Sequence, residues 1–160
     1  MRIEIKINSQ ILDIINNNQE KIKSYQISSA KNGAGQERGS FCTPLGKHII
    51  RAKIGENQPV NTVFIGRRPT GEIYSPSLGK KFQGRDWILT RILWLSGCEP
   101  GFNRLGTVDT MRRYVYIHGC PDNTDIGKPG SIGCIRMLNI DLLELFDLTD
   151  VGTEVIIKLS

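Results

Sequence analysis

The chain has 160 residues, 39% of them hydrophobic and 23% charged, which is enough to bury a core without disulfide or metal staples. Its net charge of +5 suits an acidic partner, but the paired bases Arg67/Arg68, Lys80/Lys81 and Arg112/Arg113 are scattered and accompany no basic helix, so no nucleic acid is expected. No apolar run approaches ~18 residues, which argues against membrane insertion through a helix.

Ile3, Ile5 and Ile7 alternate with Arg2, Glu4 and Lys6, the period of a half-buried strand. This opening is not the charged leader and apolar core of a signal peptide, so the chain as written is expected in the cytoplasm, and in the periplasm or cell wall if an export signal has been removed. Ile11, Leu12 and Ile14 form a second strand and Lys21 to Ser28 a third, predicting a β-meander. Residues 31–40, KNGAGQERGS, form a loop, and His48-Ile49-Ile50 and Val63-Phe64-Ile65 are short strands. Residues 66–86 carry too many glycines and prolines for a regular element. The apolar run Trp87 to Leu95 predicts a central strand. Tyr114 to Ile117 predicts another, which would hold His118 at its end, fixed on one side and open to solvent on the other. One short helix is expected from Asn139, as N-cap, to Phe146, with Leu138, Leu142, Leu145 and Phe146 on one stripe. Val155 to Leu159 closes the chain as a last strand. The whole, residues 1–160, reads as one domain of mainly β class.

The stretch from His118 to Asp141 carries the chemistry. It sets one of only two histidines 134 − 118 = 16 residues from one of four cysteines, each beside a glycine. A thiolate is the reactive form of cysteine, and a nearby imidazole can generate it. His118 would be the base toward Cys134 and then the acid toward a leaving amine. A backbone carbonyl can orient the imidazole, and Gly119 is the nearest. Gly133 permits a tight turn that aims the amides of Gly133 and Cys134 at an oxyanion. Arg136 would hold a substrate carboxylate. The other cysteines, Cys42, Cys98 and Cys120, read as packing or loop residues in the reduced state. His48 reads as structural, and Trp87 and Trp94 as core. Zinc on His118, Cys120 and Cys134 lacks both a CxxC pair and a fourth ligand, so no metal or other cofactor is expected.

Taken together, His118-Gly119, Ser131, Gly133-Cys134, Arg136 and Asn139 spell HG-x11-SxGCxRxxN, which resembles the active-site signature of the YkuD-type L,D-transpeptidase catalytic domain. Thr43-Pro44-Leu45-Gly46 resembles the family's TPxG segment. The resemblance implies a β-sandwich or barrel-like fold with one short helix after the cysteine. It also implies acyl transfer on peptidoglycan stem peptides or muropeptides: the cysteine attacks the bond between the diamino acid and the terminal D-alanine, forms a thioester, and passes it to an amine or to water. On this pattern Cys134 is the nucleophile, His118 the base and Gly119 the orienting carbonyl. Gly133, Cys134 and the Ile132 amide would form the oxyanion hole, with Arg136 and Ser131 toward substrate. The family usually carries histidine where this chain has Ile132, and threonine where it has Cys120. A soluble cytoplasmic member would act as an L,D-carboxypeptidase on recycled muropeptides. The competing readings are a non-catalytic stem-peptide or wall-binding module on the same fold, and a cysteine acyltransferase or peptidase with another substrate.

Overall fold

The computed structural model describes residues 1–160. Its first three strands, β1 (Arg2–Lys6), β2 (Ile11–Ile15) and β3 (Lys21–Gln26), pair antiparallel as the expected meander. Period-2 alternation turns Ile3, Ile5, Leu12 and Ile14 inward, where all four are fully buried. Next come β4 (Gly46–Ile54), β5 (Thr62–Ile65), β6 (Arg68–Ile73), α1 (Pro76–Lys81) and β7 (Ile88–Gly97). The chain ends with β8 (Tyr116–Gly119), β9 (Ile135–Met137), α2 (Asn139–Leu148) and β10 (Glu154–Lys158).

The strands form one mixed sheet in the order β3-β2-β1-β10-β4-β7-β5-β6, with β8 on β7 and β9 on β8. The pairs β1–β10 and β8–β9 are parallel and the rest antiparallel. Both ends of the sheet feed one core: Ile3, Leu12 and Val155 share it with Leu93, Ile117 and Met137, and α2 adds Leu142, Leu145 and Phe146. That is sandwich-like packing, and a reciprocal pair of hydrogen bonds between Ser28, just past β3, and Arg136 of β9 ties the far branch of the ladder back toward its start, while β6 keeps a free edge. No helix is long and apolar enough to cross a membrane.

Three local expectations are corrected. Residues 66–86 are not irregular: Gly66 and Arg67 make a tight turn at positive φ that returns β5 into β6, and Ser75 caps α1 by accepting from the Leu78 amide, with Pro76 as its first residue. Gly66 sits at the turn and Pro76 at the helix start, where they are favoured. Pro69 and Gly71 are tolerated inside β6 because it is an edge strand with a bulged pairing to β5, and Gly79 lies inside the short α1. Asn139 is not the N-cap of α2 but its first helical residue, Leu138 being the cap, and its side chain is buried rather than spent on helix amides. Finally, β8 begins at Tyr116 and runs through His118 to Gly119, so His118 lies within a strand and is fully buried.

His48 is structural, as expected. Its Nδ1–H donates to the Gly46 carbonyl at 3.0 Å and its Nε2 accepts from the Thr110 hydroxyl at 3.0 Å. Burial favours the neutral ring and pushes its pKa down to about 4, against 6.5 for the free side chain. The unfolded chain therefore binds a proton between those values that the folded chain refuses. The associated stability is complete above pH 6.5 and is lost as pH falls toward 4, amounting to about 3 kcal/mol. Denaturant melts at pH 7 and at pH 4.5 are expected to differ in the native chain by most of this increment, on top of what His118, also held neutral by burial, contributes. The increment should vanish in His48→Gln, and an unchanged difference would place the acid sensitivity elsewhere.

Candidate active site

The parallel pairing of β8 with β9 builds the site. Ile117 faces Ile135 and His118 faces Arg136 in register, so Tyr116 and His118 share one face of the pair with Cys134 and Arg136, while Ile117, Ile135 and Met137 point into the core. Residues 120–134 form the crossover that returns the chain in the same direction, which is how a separation too long for one helix face is closed.

His118 has an asymmetric environment. Its Nδ1 lies 2.6 Å from the Gly119 carbonyl, and because a carbonyl only accepts, Nδ1 carries the proton. Nε2 is then left with a bare lone pair, and it is the one buried side-chain nitrogen or oxygen without a hydrogen-bond partner. Such an orphan ordinarily costs about 1–3 kcal/mol, and a lone pair left free in this way is what a general base requires. Burial lowers the pKa of His118, with Asp86 acting in the opposite direction, so the resting ring is neutral at pH 7.

Cys134 stands at the threshold of β9. Its sulfur accepts from the Tyr116 amide at 3.3 Å, and its thiol donates to the Tyr114 carbonyl at 3.5 Å. No hydrogen bond joins it to His118 in this resting arrangement. Burial pushes the thiol pKa up to about 12, more than the Tyr116 amide and the nearby arginines lower it. The pair is therefore thiol and imidazole, not thiolate and imidazolium, and a thiol in this state could act as a nucleophile only if a base took its proton.

The turn before Cys134 is held from within. The Ser131 hydroxyl accepts from the Gly133 amide at 3.2 Å and donates to the Cys134 carbonyl, and the Thr43 hydroxyl donates to the Gly133 carbonyl at 3.0 Å. Ser131 is 3% exposed, so it braces the turn instead of facing substrate. The Gly133 amide is likewise engaged. The Ile132 and Cys134 amides donate to nothing in the protein and remain free for an oxyanion. Gly133 sits at φ +137°, a conformation L side chains rarely adopt.

Arg136 also differs from expectation. One arm of its guanidinium pairs with Asp86 at 3.0 Å and the other donates to the Gly130 carbonyl at 3.0 Å, so it is committed internally. The positive charge facing open space comes from elsewhere. A cleft of about 690 Å³ above Cys134 is lined by Arg38, Arg67, Arg112 and Arg113, with Asp86 as its sole carboxylate. Of the paired bases that look scattered in sequence, Arg67, Arg112 and Arg113 converge here. Arg67 donates to the Tyr116 hydroxyl at 2.9 Å, and its guanidinium lies 4.6 Å from the Trp94 ring centre and 4.8 Å from that of Tyr114. Arg113 donates to the carbonyls of Gly35, Gln36 and Cys42, tying the glycine-rich loop to the cleft wall. Ile132 is 55% exposed at the rim with Phe41 and Tyr114.

Of the predicted site residues, His118, Gly119, Ile132, Gly133 and Cys134 meet at one place, whereas Ser131 and Arg136 support it from behind. Cys120 is buried with its thiol toward the Met137 carbonyl at 3.3 Å, and Trp94 is half-buried as the platform under Arg67. Asp86, Arg67 and Arg113 escape a sequence reading because they come from loops whose convergence no short motif encodes.

Comparison with known proteins places this geometry in context. The family model for the YkuD L,D-transpeptidase catalytic domain matches residues 1–157. A search of curated proteins returns no match. Among solved structures, the chain is similar to an L,D-transpeptidase from Xylanimonas cellulosilytica, with 17% identity, a TM-score of 0.54 and coverage of 98% of this chain and 59% of that one. It is similar to L,D-transpeptidase 3 from Mycobacterium tuberculosis carrying a faropenem-derived adduct, with 12% identity, a TM-score of 0.56 and coverage of 98% and 59%. The catalytic domain of the Enterococcus faecium enzyme matches at 16% identity and a TM-score of 0.51, covering 98% and 95%. The chain thus spans about three-fifths of the first two and nearly all of the isolated domain.

Proposed function

Since the chain belongs to the YkuD family of L,D-transpeptidase catalytic domains, we propose that Cys134 attacks the L,D bond of peptidoglycan stem tetrapeptides and releases D-alanine through a thioester. The observation that carries this reading is the buried, partnerless Nε2 of His118 on the same strand face as Cys134. The thiol swings from the Tyr114 carbonyl toward Nε2 as the substrate carbonyl arrives. Sulfur bonds to carbon while the thiol proton passes to Nε2, leaving an oxyanion for the amides of Cys134 and Ile132. Collapse breaks the C–N bond, and Nε2–H protonates the departing D-alanine amine. The thioester then goes to an amine, with crosslinking or exchange, or to water, with release of a tripeptide.

The arginine-lined cleft supports an acidic substrate, because a stem peptide is rich in carboxylates. Mass spectrometry of the protein after exposure to tetrapeptide, and separately to faropenem, is the test. An acyl increment confined to the peptide containing Cys134 is expected. Tetrapeptide that binds without adduct or turnover, together with no faropenem adduct, would overturn the assignment. Products formed with and without a D-amino acid identify the acceptor: tripeptide alone means carboxypeptidase, an exchanged tetrapeptide means transpeptidase.

A further inference from the structure

Behind His118 lies a buried polar network that the steps above do not use. In the β7–β8 ladder Leu89 pairs with Gly119 and Ile92 pairs with His118. The step from Leu89 to Ile92 therefore takes three positions on β7 where β8 takes one, and Thr90 and Arg91 are the extra residues. The bulge lies directly opposite the His118–Gly119 step. Thr90 within it is fully buried at φ +76°. A β-branched residue in the left-handed region is strained by roughly 1–3 kcal/mol and persists only where its surroundings over-determine it.

The surroundings do so through Asn139. The Thr90 hydroxyl donates to Asn139 Oδ1 at 2.6 Å and accepts from the Asn61 amide at 3.1 Å. Asn139 Nδ2 donates to the Cys120 carbonyl at 3.0 Å, to Asn61 Oδ1 at 3.0 Å and to Asp122 Oδ1 at 3.2 Å. Asn139 Oδ1 also presses on Gly119: a Cβ there would collide with it and with the Leu89 carbonyl. Asn139 thus packs against the Gly119 Cα and holds the next carbonyl along. Between those two anchors sits the Gly119–Cys120 peptide, whose carbonyl oxygen is the one that accepts from His118 Nδ1.

We propose that Thr90 and Asn139 are a positioning pair that locks the Gly119 carbonyl and thereby keeps the His118 proton on Nδ1 and the lone pair on Nε2. If that peptide rotates, Nδ1 loses its acceptor and the proton can reside on Nε2, which turns the base into a donor. The strained bulge is the means of bringing a hydroxyl from β7 to the buried face of α2 at this point. This inference rests on His118 acting as the base, but its first readout does not involve turnover.

With only two histidines, ring ¹⁵N spectra resolve His118 against His48, whose nitrogens bond to Gly46 and Thr110 and serve as an internal control. The native chain is expected to show Nδ1–H at His118. Thr90→Val removes the donor at nearly constant shape and is expected to shift His118 toward a tautomer mixture, with His48 unchanged. It should lower kcat on the order of 10- to 100-fold with KM little altered. Thr90→Ser, which keeps the hydroxyl, should retain both signals. Asn139→Ala should act like Thr90→Val, and the Thr90 variants carry the test if that protein does not fold. A folded Thr90→Val chain with native His118 signals would overturn the proposal whatever its activity. A shifted tautomer with undiminished turnover would support the positioning role and instead refute His118 as the base.

Discussion

His118→Ala is expected to lower kcat/KM by about 10²- to 10⁴-fold, the usual contribution of a positioned general base. Some stability should be lost alongside, from the cavity and from the missing Nδ1–Gly119 hydrogen bond, but less than truncating a fully satisfied buried side chain brings. Removing the ring also removes the unpartnered Nε2, whose burial is itself unfavourable by about 1–3 kcal/mol. The pH profile sharpens the test. Proton transfer needs a neutral imidazole and a neutral thiol, and burial widens the range in which both exist, lowering His118 and raising Cys134 to about 12. The native rate is therefore expected to fall only on the acid side, below the ordinary histidine value of about 6.5. It should stay level through neutrality into the alkaline range. A pre-formed ion pair would instead give a bell confined between two nearer values. In His118→Ala the acid limb should disappear, and a limb that survives would assign the titration to another group.

The meander, the central strand, the helix after Cys134 and the closing strand are legible because each follows from a local period: alternation in Ile3–Ile7, spacing of Leu138, Leu142, Leu145 and Phe146. The Cys134/His118 pair is legible as well, since a motif of rare residues beside glycines survives without tertiary information. Less legible is whatever depends on two loops meeting. Arg136 reads as a substrate ligand until Asp86, 136 − 86 = 50 residues away, neutralises it. Asn139 has the residue type of an N-cap, but the space left by Gly119 and the bulge at Thr90 draws its amide inward, where it satisfies three oxygens. Residues 66–86 mislead for a different reason. Gly and Pro mark irregular chain on average, whereas here Gly66 and Pro76 bound a strand and a helix, and Pro69 and Gly71 are accepted within β6 because it is a bulged edge strand.

The largest effect is expected from Cys134→Ala, and it separates a catalyst from a binding module built on the same fold. Removing the nucleophile of an interdependent catalytic group costs about 10⁶-fold in kcat in a well-studied hydrolase, and a loss of that order is expected here. No acyl adduct should form with tetrapeptide or faropenem. Binding should survive, because Arg38, Arg67, Arg112 and Arg113 supply the charge facing the cleft and none of them bonds to the thiol. Titration calorimetry of Cys134→Ala with tetrapeptide is therefore expected to give an affinity close to the native value while turnover is abolished. A wall-binding module predicts native cellular function in that variant and no turnover in either protein. Cys134→Ser adds a second discrimination. A hydroxyl at the same position is a weaker acid than a thiol already raised to about 12, so His118 would have to remove a more tightly held proton for an intrinsically poorer nucleophile. Serine should thus be nearly as inactive as alanine, and appreciable turnover by it would mean that sulfur chemistry at this position is not what limits the reaction.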